Sequence, residues 1–339
     1  MHPDDPLTTS EAADLLGVTR QTVNVYIDRG LLPVTKTPGG HARIRRADLL
    51  TFQAQPPGTP GSTAEQRVLV FANQKGGVGK TTMTVNLAVL LAQAGLRVLV
   101  IDLDPQGHAT FTLGVNPEGC SYTIYDALLH SDQVEPDRLI QATRFGVDLA
   151  PINLTASEAE TELSRLMTWG TCLKTVIAAL QDRYDVILID TGPHLDKLLA
   201  NALVAARWVI IPTQLEMLSV RGFGMLRARI AEAGKVNRRL EIAGVAPVMV
   251  QPVRADREIE EALRGTVPDV RIFRQKIARS TAFKDVASAN DVMARKHPTG
   301  EYTAQYRRLL GELVAVMDDP LLRAAVAHLA APDLAVAAG

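Results

Sequence analysis

The 339-residue chain is 47% apolar and 22% charged, with 36 basic against 37 acidic side chains, which excludes a wholly disordered polyampholyte and leaves room for about two domains. Its two cysteines, Cys120 and Cys172, form no CxxC pair, which excludes a disulfide scaffold or zinc finger and fits a reducing cytoplasm. No apolar run reaches the roughly 18 residues of a membrane span, and MHPDDPLTTS lacks the basic and apolar parts of a signal peptide, so no membrane partner is expected.

In chain order, residues 7–53 form a small unit. LTTSEAADLLGV places Thr8 three residues before Glu11, a capping box, and predicts a first helix with Ala12, Leu15 and Leu16 inward, ended by Gly17. Thr19 can cap a second helix with Val23, Tyr26 and Ile27 inward and Arg20, Gln21 and Asn24 outward. Two short helices joined by a tight turn make a helix-turn-helix. LLPVTKTPGGHARIRRADLLTF then predicts a hairpin turning at Pro38-Gly39-Gly40, a wing, and a short closing helix. Residues 54–65 (AQPPGTPGSTAE) hold three prolines, two glycines and no apolar residue larger than alanine, the composition of a linker. A large unit is expected over 66–317, and 318–339 as a C-terminal tail that can begin with a short docked helix.

The large unit alternates strand and helix patterns. Arg67–Ala72, Arg97–Asp102, Asp185–Asp190, Trp208–Pro212 and Ile242–Val250 are apolar, β-branched-rich runs suited to buried parallel strands. Helical stretches such as Thr81–Ala94 and Cys172–Asp182 lie between them, so an α/β fold with a doubly wound, mostly parallel sheet is expected.

Val68–Thr82 (VLVFANQKGGVGKTT) runs from a buried strand through a glycine loop into a helix. Backbone N–H groups approach phosphate oxygens there without Cβ atoms in the way, and the helix N-terminus adds its positive end. Lys75, Gly76, Gly77, Val78, Gly79, Lys80, Thr81 and Thr82 are therefore the candidate ATP-binding residues, with Lys80 on the β/γ-phosphates and Thr81 on Mg2+. The general G-x-x-x-x-G-K-[ST] pattern is broken at Gln74, and a second lysine, Lys75, stands at the loop entrance. Asp102 and Asp104 follow one strand tip and Asp190 ends another, where carboxylates can hold magnesium directly or through water and position an attacking water.

KGGVGKTT, VLVIDLDPQGHAT, DVILIDTGP and VIIPTQLEMLSVRG, in this order, resemble the ParA/Soj partition ATPases across roughly residues 67–317. That family belongs to the deviant-Walker P-loop group with MinD and the nitrogenase iron protein. The resemblance implies ATP sandwiched between two subunits of a homodimer, with Lys75 reaching the partner's phosphates. It further implies Asp104 orienting the water, Asp190 as the Walker B acid, and a ParB-like partner that stimulates a slow ATPase. The chain departs from the family at Gly192-Pro193, where two prolines are usual, and His194 behind them reads as a loop residue.

Two regions are expected to meet double-stranded DNA. The small unit resembles MerR-type and excisionase-type winged helix-turn-helix domains, and residues 29–46 carry five bases and no acid. Lys36, Arg43, Arg45 and Arg46 would meet phosphates, and Arg20, Gln21 and Asn24 can reach base edges. Residues 221–239 carry a net +5 and residues 271–308 a net +6. IARSTAFKDVASAN in the latter resembles the family's DNA-binding segment, making Arg274, Lys276 and Arg279 candidates, although a second family position is Ala282 here. The expectation is a chromosome or plasmid partition ATPase of the nucleoid, gripping DNA without sequence preference as an ATP dimer, with the helix-turn-helix on a specific site. A nucleotide-sensing transcription regulator is the alternative. A membrane-cycling MinD-like role would want a basic amphipathic C-terminal helix, and Leu321–Gly339 has one base, Arg323. An iron–sulfur role would want interface cysteines, which Cys120 and Cys172 do not supply.

Overall fold

The computed structural model describes residues 6–16, 20, 23, 27, 32–36, 42–49, 67–153, 161–251, 253–327 and 329. The expected linker, the wing's turn, Gln21 and Asn24 lie outside the described residues.

In the small unit, β1 (Pro6–Leu7) precedes α1 (Thr9–Leu16), and β2 (Thr35–Lys36) and β3 (Ala42–Arg45) follow. β3 is the central strand, antiparallel to both, with Thr35 opposite Arg43 and Leu7 opposite Ile44. The capping box forms: Thr8 N–H donates to Glu11 Oε2 at 2.7 Å and Glu11 N–H to Thr8 Oγ1 at 3.2 Å. Ala12, Ala13, Val23, Leu32, Ile44 and Leu49 are buried together. Leu15, expected inward, is 43% exposed, because α1 turns its small Ala12-Ala13 edge to the core. Alanines let the helix sit close to β3.

The large unit is an eight-stranded sheet. Its strands are β4 (Val68–Phe71), β5 (Val98–Leu103), β6 (Gln141–Ala142), β7 (Asp148–Ala150), β8 (Val186–Thr191), β9 (Trp208–Gln214), β10 (Glu241–Val250) and β11 (Ile277–Ala278). Their order is β11-β10-β9-β4-β8-β5-β7-β6, parallel throughout except for the edge pair β6/β7. The five apolar runs read from sequence are its five central strands.

Successive strand residues point to opposite faces, and the core divides accordingly. Leu99, Ile101, Ile187, Ile189, Val209 and Ile211 face α4 (Cys172–Leu180), α5 (Lys197–Ala205) and α6 (Met217–Val236). Leu69, Phe71, Val98, Val100, Val186 and Leu188 face α2 (Lys80–Gln93), α8 (Glu301–Met317) and α9 (Pro320–Ala327). Between these elements lie α3 (His108–Thr112) and α7 (Arg254–Thr266). α2 is apolar nearly all round because the sheet covers one side and α8 the other.

The stretch expected as a tail thus begins as core. Leu322, Ala325, Val326 and Leu329 are buried on the second face. Arg67, just before β4, donates to Asp319 at 2.6 Å, with side chains only 4% and 9% exposed. Removing one partner of such a pair costs about 3–5 kcal/mol.

Candidate nucleotide site and nucleic-acid interface

β4 is central, flanked by β8 and β9, so its C-terminal tip opens where the tips of three strands meet. The glycine loop follows it. Gly77 (φ 72°) and Gly79 (φ 76°) take left-handed conformations that glycine adopts without strain. A Cβ built at Gly76 or Gly77 would meet nothing within 4 Å, so this arc of backbone faces open space. Gly79 is the N-cap of α2 and brings no side chain to its first-turn N–H groups, which stay directed at the hollow. Val78, just before the N-cap, is buried, and Thr82 in the first turn is half-buried.

Lys80 is buried, and its Nζ donates to the carbonyls of Asn73 at 3.1 Å and Lys75 at 3.2 Å. Burial lowers its pKa, and the nearby charges of Asp190 and Asp104 work against that shift. Thr81 Oγ1 donates to Asp190 Oδ2 at 2.6 Å, joining the first turn of α2 to the tip of β8. Thr84 Oγ1 lies 3.3 Å from the other oxygen, Oδ1. Burial pushes the Asp190 carboxyl well above the usual carboxylate range, and the Asp102 charge on the neighbouring strand adds to it.

Asp104 sits past the tip of β5, only 6% exposed. Its Oδ1 accepts from Gln106 N–H at 3.1 Å, and Oδ2 lies 3.7 Å from His108 Nδ1. A Cβ at position 192 would stand 3.3 Å from Asp104 Oδ1, so Gly192 leaves this carboxylate room. His194 is exposed, as a loop residue would be.

Asp102 is a correction. It was expected among the magnesium carboxylates, but its side chain is fully buried and both oxygens are taken. Oδ1 accepts from Asp104 N–H at 3.1 Å, while Oδ2 accepts from Thr110 N–H at 2.7 Å and Thr110 Oγ1 at 2.8 Å. Burial raises its pKa to about 6, against the pull of the Thr110 bonds. Its work is to lock α3 onto β5 and so hold Asp104 in place. Among the described residues no group of three or more His, Cys, Asp or Glu side chains is arranged to hold a metal ion.

Three loop-shaping residues carried no assigned role in the sequence. Asn73 Nδ2 donates to Pro212 O at 2.7 Å, and its Oδ1 accepts from Lys75 N–H at 3.0 Å. Lys75 Nζ donates to Gln214 Oε1 at 3.1 Å and pairs with Glu216 Oε2 at 2.6 Å. Gln214 Nε2 donates to Gly77 O at 3.2 Å. The PTQLE run at the end of β9 was the available signal.

The AAA domain family matches residues 66–242, and a helix-turn-helix domain family matches residues 6–56. The chromosome-partitioning ATPase Soj of Thermus thermophilus is 35% identical over 255 residues, covering 74% of this chain and 97% of its own. The chain belongs to the ParA/Soj family. A family fold also appears among solved structures. A Mycobacterium smegmatis protein described as cobyrinic acid a,c-diamide synthase, bound to an ATP analogue and magnesium, is 31% identical with a TM-score of 0.63, over 73% of this chain and 92% of that one. A putative plasmid partition protein of Borrelia burgdorferi bound to AMPPNP is 26% identical with a TM-score of 0.62, over 74% of this chain and 98% of that one. The strand–loop–helix of Val68–Thr82 is the P-loop of this ParA/Soj-type domain.

The basic residues of this family member are less available than the sequence suggests. Lys276, counted in a net +6 segment, is paired with Glu260 of α7. Arg295 is held by both oxygens of Asp291 at 2.8 and 2.6 Å, and Arg308 by Glu301 at 2.8 Å. In the second cluster Arg227 pairs with Asp269 and Arg229 with Glu232. Arg271, Arg274, Arg279, Lys284 and Lys296 are exposed and have no ion-pair partner among the described residues. Arg279 is set by its N–H to Val250 O at 3.1 Å.

In the small unit, Arg45 is clasped by Asp48 at 2.8 and 3.0 Å, an acid two positions beyond the acid-free window. Arg20 Nε donates to Thr9 Oγ1 at 3.1 Å, tying this side chain to α1. Arg43 Nη1 bonds the neighbouring Ala42 carbonyl, and Arg46 is half-buried. Lys36 lies in β2, its side chain outside the described residues. Among the described residues no helix is long and apolar enough to cross a membrane.

Proposed function

We propose that the protein is a DNA-partition ATPase that hydrolyses ATP with Mg2+, slowly on its own and faster with DNA and a ParB-like partner. The observation that carries this reading is the P-loop with two lysines, Lys80 turned into the loop and Lys75 at its mouth, beside the Thr81–Asp190 bond. The residues fit both groups: open backbone N–H groups and a buried ammonium suit phosphates, and a hydroxyl touching a carboxylate suits magnesium, which takes few protein ligands. Thr81 would hold the metal, with Asp190 through water; magnesium supplies neutralisation of the β- and γ-phosphate charge.

Lys80 holds the β/γ-phosphates, and the loop N–H groups hold their oxygens. Asp104 orients the water for attack, kept in place by Asp102 and the 104–108 turn. Lys75 crosses to the partner's γ-phosphate, so ATP fastens a homodimer and hydrolysis loosens it. Doubling the exposed arginines doubles the phosphates neutralised, so the dimer grips duplex DNA and the monomer lets go. The helix-turn-helix adds a specific, autoregulatory site, and the protein works on the nucleoid in the cytoplasm.

The test is retention of non-specific duplex DNA by the full chain with ATP, ADP or no nucleotide, across a salt series. Retention with ATP alone, falling steeply with salt, is expected. The second reading, a nucleotide-sensing transcription regulator, draws on the helix-turn-helix match over residues 6–56. Operator binding without ATP-dependent retention of other DNA would favour it.

A further inference from the structure

Lys75 is the residue proposed to act on a partner, yet in this chain its ammonium is already engaged. It pairs with Glu216 Oε2 at 2.6 Å and donates to Gln214 Oε1 at 3.1 Å. Both acceptors belong to the chain that leaves β9, the strand beside β4. Gln214 is itself fixed to the phosphate loop through Gly77 O, and Asn73 ties Lys75 N–H toward the same strand. The lysine therefore lies along its own loop rather than outward from it. Lys75 is 35% exposed and Glu216 50%, so the pair is open enough to break.

We infer that Glu216, supported by Gln214, is a positioning residue that latches Lys75 within its own subunit and sets the threshold for ATP-dependent dimerisation. The ammonium lies against Glu216 and Gln214 of its own chain, so reaching a γ-phosphate of another chain means swinging away from that carboxylate. Forming the sandwich therefore exchanges two intrachain pairs for two interchain ones. A solvent-exposed pair contributes modestly, and the symmetric dimer counts it twice. The latch keeps the protein monomeric until ATP offers a stronger anion than a carboxylate. The inference rests on the trans role proposed for Lys75.

The experiment is sedimentation of the full chain with ATP and Mg2+ over a protein dilution series, for wild type, Glu216→Gln, Glu216→Asp, Lys75→Ala and the double variant Lys75→Ala/Glu216→Gln. Glu216→Gln keeps the shape and removes the charge. It is expected to dimerise at about two- to thirty-fold lower concentration than wild type, with its ADP form still monomeric. Glu216→Asp should fall between the two, and the double variant should behave as Lys75→Ala, without dimers. An unchanged threshold in Glu216→Gln, with Lys75→Ala monomeric, would overturn the latch and leave the trans lysine standing. A raised threshold in Glu216→Gln would also overturn it, by placing the carboxylate's work inside the dimer. Wild-type dimerisation by Lys75→Ala would overturn the trans reading and the latch together.

Discussion

The phosphate loop and the basic segment over residues 271–308 were both conspicuous in the sequence, and they fared differently. The loop's chemistry is made by backbone groups and by side chains a few positions apart, so the order of residues carries it. The basic segment's chemistry depends on which charges stay free, and that is set by pairings: Asp291 and Glu301 within it take Arg295 and Arg308, and Glu260 from outside it takes Lys276. A local charge sum cannot see them. Function written in the backbone is readable along the chain, whereas function written in net charge must wait for the fold.

Mutations can break or sharpen this contrast. The largest effect belongs to the loop: Lys80→Ala removes the buried ammonium and should lower ATP turnover by about 10²–10³-fold, measured as phosphate release. Next comes Lys75→Ala, which should leave nucleotide binding to the monomer measurable by equilibrium dialysis. It should weaken the ATP dimer by more than about 100-fold, since two charge-assisted bonds are lost per dimer. The basic segment should respond unevenly. Arg279→Ala, at an exposed and unpaired arginine, should flatten the slope of log affinity for duplex DNA against log salt by about one unit per lost phosphate contact. Lys276→Ala, whose ammonium is held by the Glu260 carboxylate it shares with Arg264, should change that slope less. If the two variants flattened it equally, the ion pairs seen here would not govern DNA contact and the simple charge count would have been the better guide. The smallest effect is Asp48→Ala, which takes one carboxylate away from Arg45 and should tighten operator binding only a few-fold, the scale of an exposed pair.

The five central strands were legible because burial on both faces makes each an unbroken apolar run. β6, β7 and β11 were not, since two or three residues carry no pattern and exist as strands only through their neighbours. In the site, Lys75, Lys80, Thr81 and Asp190 were marked as candidates by the order of residues, and the fold brings Thr81 to Asp190. Asp102 misled because an acid at a strand tip looks the same whether it faces a ligand or fastens a helix, and only Thr110 distinguishes them. Glu216 went unassigned for the opposite reason: its partner lies 141 positions earlier in the chain.

The Arg67–Asp319 pair joins residues 252 positions apart. The first strand of the sheet emerges early in synthesis, and the carboxylate that pairs with its guanidinium arrives only after every other strand has been made. A nascent chain halted before residue 319 holds all eight strands but lacks the carboxylate that pairs with Arg67 at the start of the central strand β4. Closure of the sheet's second face thus waits for the segment carrying Asp319 and α9, and copies ended before it should be selectively exposed to proteolysis.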